Sequence, residues 1–474
     1  MDSTENDKKR FRRQYGIHLT SKEMFKEFIF PHIKDKLNQY LWVDLFAGEG
    51  NLILPILEEF NQDQRISFFK DHIFLFDIHQ EMVQKCIDNA ISYGIPENIA
   101  QNNIMVRDNL LNFPESLKKK GKFPIYHITN PPYLYLGYIT KNDDTKEYLK
   151  YFQEKYQGYQ DLYQIAMMND LRNEIQNVIY IIPSNFLFGS SISNKFRMDF
   201  LKEYQIIKMI IFETQVFEFT GTNTCIGLFS KKQIPSTNMQ NFTGIKIKKK
   251  GVILNRNFKL NPKYKYRAGS LFDEFIENYR RKNPLKVQYY LTKAEVKQNN
   301  GHCQVEVIDA NRYEHQEYKR LKIDINEELK NKVKSNILYT KTVDSGSDDG
   351  RVGLGIIQDD FIVSGIYVSG NTYRTHPIHI FLYPQLSISH QKLLREYFNS
   401  LLEHFRYTLD SEFLTTYKYS NANYTRKYLG LTQIRGLIRT FPHDLDNSGI
   451  TSLQELVTKK KIEDLIRFLK RFNS

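Results

Sequence analysis

The sequence predicts an α/β protein in which a Rossmann-like domain with a mostly parallel sheet is followed by a second region of mixed α+β character. Three observations carry that expectation. A strand-like run, Leu41-Trp42-Val43-Asp44-Leu45, passes through a glycine turn, Ala47-Gly48-Glu49-Gly50, into a helix-like stretch from Leu52 to Phe60. Two further strand-like runs also end at acids: His72 to Phe76 stops at Asp77, and Asn103 to Val106 stops at Arg107-Asp108. Repeated units of this kind, with acids at the strand ends, describe a Rossmann-like sheet that binds its ligand along one edge. The third observation is charge. Residues 241–474 hold 39 Lys and Arg against 25 Asp and Glu, whereas residues 1–240 hold 28 against 29.

Length and composition narrow the function classes. At 474 residues the chain is long enough for two or three domains, and 41% hydrophobic with 14% aromatic residues is globular composition. No apolar run approaches the ~20 residues of a membrane span. The polar start, MDSTENDKKRFRRQ, lacks the apolar core of a signal peptide. Cys86, Cys225 and Cys303 are scattered and odd in number, as expected of a reducing cytoplasm, and offer neither a disulfide framework nor a metal cage. No metal is expected. The basic, aromatic-rich second half suits a phosphate backbone, which makes nucleic acid the expected partner.

In chain order, Thr20-Ser21 before Lys22 to Ile29 has the form of a helix cap followed by an apolar stripe at Met24, Phe25, Phe28 and Ile29. The glycine turn is not a phosphate-gripping P-loop, because no Gly-Lys-Ser/Thr follows, and it is not a GxGxxG dinucleotide turn. Asp44 stands where a carboxylate can receive an ammonium group. Gly48 and Gly50 let the backbone approach a ligand. Asp77, at the end of the second strand, is placed for the two hydroxyls of a ribose, with Ile78 beside it to pack on an adenine face. A helix is expected over 80–93. Asp108 is placed to accept from an adenine amino group.

The fourth strand is His127-Ile128-Thr129-Asn130-Pro131-Pro132-Tyr133. Its apolar and β-branched beginning stops at two prolines, which fix φ, remove two backbone donors and hold Asn130 out of helical space. Asn130 Oδ1 and the Pro131 carbonyl can both accept from one exocyclic amino group, while Tyr133 stacks on the ring. Two such acceptors favour a more nucleophilic nitrogen. Pro131 and Pro132 fix the geometry.

With these residues in place, residues 15–230 resemble the catalytic domain of adenine-N6 DNA methyltransferases of restriction–modification systems, in the gamma-class motif order. By that resemblance Thr20 matches the amino-terminal cofactor motif, Asp44-Leu45-Phe46-Ala47-Gly48-Glu49-Gly50 the glycine motif, Asp77 the ribose acid and Asp108 the adenine-binding acid. Asn130 to Tyr133 matches the NPPY catalytic motif, and Asp161-Leu162-Tyr163 the helix that follows it. Phe217 matches the residue that stacks on a flipped adenine. The resemblance implies S-adenosyl-L-methionine as cofactor, held by Thr20, Asp44, Phe46, Ala47, Gly48, Gly50, Asp77, Ile78, Asp108 and Asn109. It departs from the family pattern at Ser21, Asn109 and Glu218, where proline, an aromatic and proline are usual.

The resulting expectation is three segments: a catalytic domain over 1–240, a basic target-recognition domain over 241–443, and a helical extension over 444–474. Gly244 to Gly251 is expected as an exposed edge strand or linker, and Asp344 to Gly355 as a loop. Arg351, Tyr373, Arg374, Lys418 and Arg426 are candidate DNA contacts. The implied partner is double-stranded DNA, with a cognate restriction endonuclease acting separately on the same site and no membrane. A monomer is expected. Two alternatives stay open: an RNA or protein-glutamine methyltransferase, since NPPY suits any planar amino group, and a non-catalytic DNA-binding protein on the same fold. No Pro-Cys nucleophile of the cytosine-C5 kind and no carboxylate–lysine endonuclease cluster stands out.

Overall fold

The computed structural model describes residues 20–471 apart from 120–121, 215, 217–222, 249–250, 346–349, 371–375 and 419–425. The chain divides into two compact units, the first running to Ala268 and the second beginning at Gly269.

The first unit is built on nine strands: β1 (Leu41–Asp44), β2 (Ile73–Asp77), β3 (Ile104–Val106), β4 (Ile125–Thr129), β5 (Asn177–Pro183), β6 (Tyr204–Phe212), β7 (Thr224–Lys231), β8 (Gln240–Ile247) and β9 (Ile253–Leu260). They lie in the order β3-β2-β1-β4-β5-β7-β6-β8-β9. Strands β3, β2, β1, β4 and β5 pair in parallel, β7 runs antiparallel between β5 and β6, and β9 closes the sheet antiparallel to β8. The strand order reverses between β1 and β4, and a sheet of this kind opens a crevice at the carboxyl ends there. Both faces are covered, because alternate residues enter different cores. Leu41, Val43, Phe74 and Phe76 belong to one, and Trp42, Ile73, Leu75 and Ile128 to the other.

The connections follow from local sequence. Helix α1 (Gln62–His72) opens on a capping box, with Asn61 Oδ1 accepting from Gln64 N–H at 3.0 Å. Helices α2 (Gln80–Ser92) and α3 (Glu97–Asn103) cross from β2 to β3, and α4 (Leu162–Arg172) crosses from β4 to β5. The helix expected after the glycine turn is a 3-10 helix, Leu54–Glu59, with Pro55 in its first turn. At the amino end Ser21, rather than Thr20, is the cap, its Oγ accepting from Met24 N–H at 3.3 Å.

The expected boundary at residue 240 is displaced. Strand β8 sits inside the sheet between β6 and β9, so residues 244–247 of the Lys-rich stretch are neither a linker nor an edge. Its alternate residues Gln240, Phe242 and Lys246 face inward, where Phe242 stacks on Phe258 at 5.1 Å and Lys246 lies 3.4 Å from Glu213. Past β9 the chain is tied back by Arg197 on helix α5 (Asn194–Glu203). The Arg197 guanidinium is wholly buried and donates to the carbonyls of Lys265 (2.8 Å), Phe186 (2.9 Å) and Gly189 (2.8 Å) and to Asn194 Oδ1 (2.7 Å).

The second unit holds two four-stranded sheets. One is ordered Lys286–Tyr289, Ile378–Tyr383, Leu338–Lys341, Gly353–Ile356, and the other Leu291–Thr292, Gly365–Val368, Cys303–Glu314, Glu317–Ile325. The loop expected over 344–355 thus contains a strand. A 21-residue helix, Ile388–Thr408, starts at Ser387, whose Oγ accepts from His390 N–H. The carboxyl-terminal helices, Asn447–Thr458 and Ile462–Arg471, are not a separate extension. Their Leu453, Val457, Leu465 and Leu469 enter the same core as Leu394, Phe398 and Leu401 of the long helix. Among the described residues no helix is long and apolar enough to cross a membrane.

Replacing Arg197 by methionine should lower the free energy of unfolding by more than about 3 kcal/mol, because three buried carbonyls lose their donors together. Urea denaturation measures this; a loss below about 1 kcal/mol would show that the tie contributes little.

Candidate functional site

A cleft of about 400 Å³ opens at the carboxyl ends of β1 to β4. It is lined by the exits of all four strands: Asp44, Phe46, Ala47 and Gly48 after β1, Asp77, Ile78 and His79 after β2, Asp108 and Asn109 after β3, and Asn130 and Pro132 after β4. Thr20 closes one side.

The glycine turn is built from backbone bonds. Ala47 N–H donates to Phe76 O at 2.8 Å and Gly48 N–H to Asp77 Oδ2 at 2.9 Å, so the turn is strapped to the end of β2. Gly48 has φ +54° and Gly50 φ +82°. Gly50 does not line the cleft. A Cβ there would meet Leu54 Cδ1 at 2.6 Å and Cys86 Sγ at 2.8 Å, so this glycine serves turn and packing.

The three strand-end acids differ in environment. Asp44 is buried, with Oδ1 accepting from Thr129 Oγ1 (2.6 Å) and Phe46 N–H (2.9 Å), while Oδ2 has no partner among the described residues. Burial pushes its carboxyl up to about 6, against the lowering by His127 and these two bonds. Asp77 accepts from Gly48 N–H and, at 2.9 Å, from His79 N–H; burial raises it, opposed first by those two bonds. Asp108 is more engaged. Its Oδ1 accepts from Leu110 N–H at 3.2 Å and its Oδ2 from Tyr151 at 2.8 Å. Ile78 is 45% exposed and forms an apolar wall. Asn109 is buried and braces the sheet, donating to Leu45 O at 2.7 Å, with its Oδ1 unpartnered among the described residues.

Asn130 sits at the cleft rim with its amide held from both ends. Its Nδ2 donates to Thr20 Oγ1 at 3.1 Å, and its Oδ1 accepts from the Tyr133 hydroxyl. The Tyr133 hydroxyl also lies 2.6 Å from Ile181 O, so its one hydrogen is shared between two acceptors, and its ring meets Tyr163 edge-on at 6.5 Å. It is absent from the residues that line the cleft, so in this structure its hydroxyl positions the Asn130 amide. Pro131 is buried and Pro132 lines the cleft. The turn is pinned by Asp161, which accepts from Leu134 N–H at 3.0 Å and is pushed up to about 7 by burial. Phe217 lies outside the described residues.

Sequence reasoning missed two groups. One is the cleft wall formed by Glu147, Tyr148, Lys150 and Tyr151, from the 3-10 helix Asp143–Phe152, whose pattern carries no motif. The other is a buried polar cluster beneath the cleft. His127 Nδ1 lies 2.5 Å from Asp170 Oδ2, Tyr180 also donates to Asp170, and His127 Nε2 accepts from Leu45 N–H at 3.2 Å. A histidine alternating with apolar residues in HITNPPY is the one signal that points to it.

Of the candidate DNA contacts, Arg351 is committed to Glu403 at 2.7 Å, and Tyr373, Arg374 and the Lys418 side chain lie outside the described residues. Among the described residues no cluster of His, Cys, Asp and Glu could hold a metal.

Residues 36–217 match the family model of the Eco57I restriction-modification methylase. No curated protein matches the chain in sequence. Among solved structures, the type IIL restriction-modification enzyme MmeI, in complex with DNA, aligns with TM-score 0.53 at 12% identity, over 100% of this chain and 76% of that one. A type I modification subunit from Vibrio vulnificus YJ016 aligns with TM-score 0.38 at 14% identity, over 74% of this chain and 61% of that one. The type IIG restriction endonuclease BpuSI aligns with TM-score 0.40 at 12% identity, over 98% of this chain and 66% of that one. The chain therefore spans less than two thirds of the Vibrio subunit, and only 36% of DrdV. At these identities the likeness is one of fold.

The Asp44 carboxyl yields a pH-dependent test. Its folded value lies above the 3.8 of an unperturbed aspartate, so between about pH 4 and 6 the folded chain holds a proton that the unfolded chain has lost. Stability then falls as pH rises through that window, and the ionised form bears the cost above it. Relative to the unaltered chain, Asp44→Asn should gain about 3 kcal/mol between about pH 4 and pH 8. Urea unfolding at both pH values reads the difference; a difference independent of pH contradicts the assignment.

Proposed function

We propose, from a chain whose residues 36–217 carry an Eco57I-type restriction-modification methylase domain, that the protein is a site-specific DNA adenine-N6 methyltransferase. The single observation that carries this reading is the Asn130 amide, fixed at a strand end on the rim of an acid-lined cleft.

The cleft fits S-adenosylmethionine. Asp44 offers a buried oxygen, unpartnered among the described residues, for the ammonium of the methionine part. Asp77 would hold the ribose hydroxyls, Ile78 would lie against the adenine face and Asp108 would accept from the adenine amino group. Phe46, Ala47 and Gly48 offer the backbone of the turn, and Thr20 borders it. When bound, the cofactor supplies an electrophilic methyl group. Every other step belongs to the chain's own groups. Asn130 Oδ1 and Pro131 O accept the two hydrogens of the target amine and hold its lone pair toward the cleft. The target adenine lies inside a duplex and has to be extruded, at about a few kcal/mol, before it reaches these acceptors. Accepting from the base would require the Tyr133 hydroxyl to release Asn130 Oδ1 or share it, with Ile181 O placed to accept its hydrogen. Phe217 would stack on the extruded base. No covalent nucleophile is needed, so the enzyme acts by positioning and electrostatics.

The basic second unit would recognise the duplex, in a monomer acting in the cytoplasm. Protection of host DNA from a separate cognate endonuclease is the biological role that follows.

The experiment incubates the chain with duplex DNA and methyl-labelled cofactor, then identifies the modified base. N6-methyladenine within one short sequence is the expected product; label on cytosine or on protein overturns the reading. Asn130→Ala should lose about 10²–10³ in turnover with cofactor affinity retained. Asp77→Ala should do the reverse, weakening cofactor binding in a folded protein.

A further inference from the structure

The second unit gathers four arginines, three of which have no carboxylate partner among the described residues. Arg280 and Arg281 follow helix Leu271–Asn278; Arg435 lies in helix Leu431–Ile438 and Arg439 ends it. Arg281 N–H donates to Arg439 O at 3.1 Å, which brings the two segments together. Four residues apart, Arg435 and Arg439 share one helix face. Arg281 pairs with Asp444 at 2.9 Å. Among the described residues no carboxylate is within ion-pair reach of Arg280, Arg435 or Arg439. Arg435 Nε and Arg439 Nε are buried and find no acceptor there. Arg435 lies 5.2 Å over the Tyr289 ring, which fixes its plane. Burial, then Arg280 and Arg435, hold the Arg439 guanidinium below its ordinary value.

A helix carboxyl end welcomes one cation. It does not account for Arg280 and Arg281 arriving there from another segment. Converging guanidiniums that repel one another, with Arg435 and Arg439 leaving donors unpaired among the described residues, form a site for an oxyanion, which each can grip with paired N–H groups. The strongly basic composition of this half of the chain makes a polyanion the fitting ligand.

We propose that Arg280, Arg281, Arg435 and Arg439 form a clamp for adjacent phosphates of a DNA backbone. This rests on the reading of the protein as a DNA methyltransferase and assigns the surface that holds the duplex in register, independent of base sequence.

The test compares the unaltered full chain with Arg435→Gln/Arg439→Gln and with Arg280→Gln/Arg439→Gln, which spares the Tyr289 contact. Duplex affinity is measured by fluorescence anisotropy across a potassium chloride series. Removing one phosphate-binding arginine should reduce the slope of log K against log salt by about 0.9, so each double variant should lose up to about 2. The loss should be equal for duplexes of unrelated sequence. Melting temperatures should hold or rise, since repulsion is relieved; a purely structural role predicts a fall. An unchanged slope in a folded variant overturns the clamp, as does a loss confined to one sequence. Thermal shift with inorganic phosphate separates a free-anion site: stabilisation lost in the variants with an unchanged DNA slope also overturns it. Should the unaltered chain bind no duplex at all, the proposed function falls with it, whereas normal binding with unchanged variant slopes removes the clamp alone.

Discussion

The cleft depends on one buried hydrogen bond, from Leu45 N–H to His127 Nε2. Leu45 is the first residue after β1 and leads into the glycine turn, whereas His127 lies three residues before Asn130 on β4. The bond therefore locks the two strand exits on either side of the reversal in strand order. It requires a lone pair on Nε2, and Asp170 secures that by taking the Nδ1 hydrogen. Asp170 belongs to α4, the helix that also pins the NPPY turn through Asp161 at its amino end. Glycine turn, β4 and crossover helix thus share a polar joint, sealed from water on all sides.

Above this joint the cleft stores unfavourable electrostatics. Asp44 and Asp77 are both buried and both raised, and each adds to the negative potential around the other. A fold optimised only for stability would separate or neutralise them. Keeping them together, with an oxygen on Asp44 that is unpartnered among the described residues, is the pattern of a surface prepared for a cationic and hydroxyl-bearing ligand. The arginines of the second unit repeat the same logic with the sign reversed.

The parts legible in the sequence were those governed by local rules. Strand ends at Asp44, Asp77 and Thr129, the turn at Gly48 and the proline stop after Asn130 all follow from neighbours in the chain. What escaped were features set by tertiary contact. Lys246 reads as a surface residue in a lysine run, but Glu213 and the pleat carry it into the sheet. Tyr133 reads as a stacking ring, yet Ile181 O captures its hydroxyl from 48 residues away. The His127–Asp170 pair spans 43 residues and leaves no periodic trace. The boundary at Ala268 was hidden because Arg197 reaches past β9 to Lys265, a tie that no composition change announces.

That last tie bears on how such chains can be recombined. Exchange of the second unit between chains of this fold requires a junction that leaves both cores intact. A splice at residue 240 would strip β8 and β9, bare the backbone of β6 as a sticky edge, and strand the Arg197 guanidinium against an empty wall. A splice after Ala268 preserves all nine strands of the sheet. The seam at which another second unit could be joined to this sheet therefore lies some distance beyond the end of its recognisable motifs.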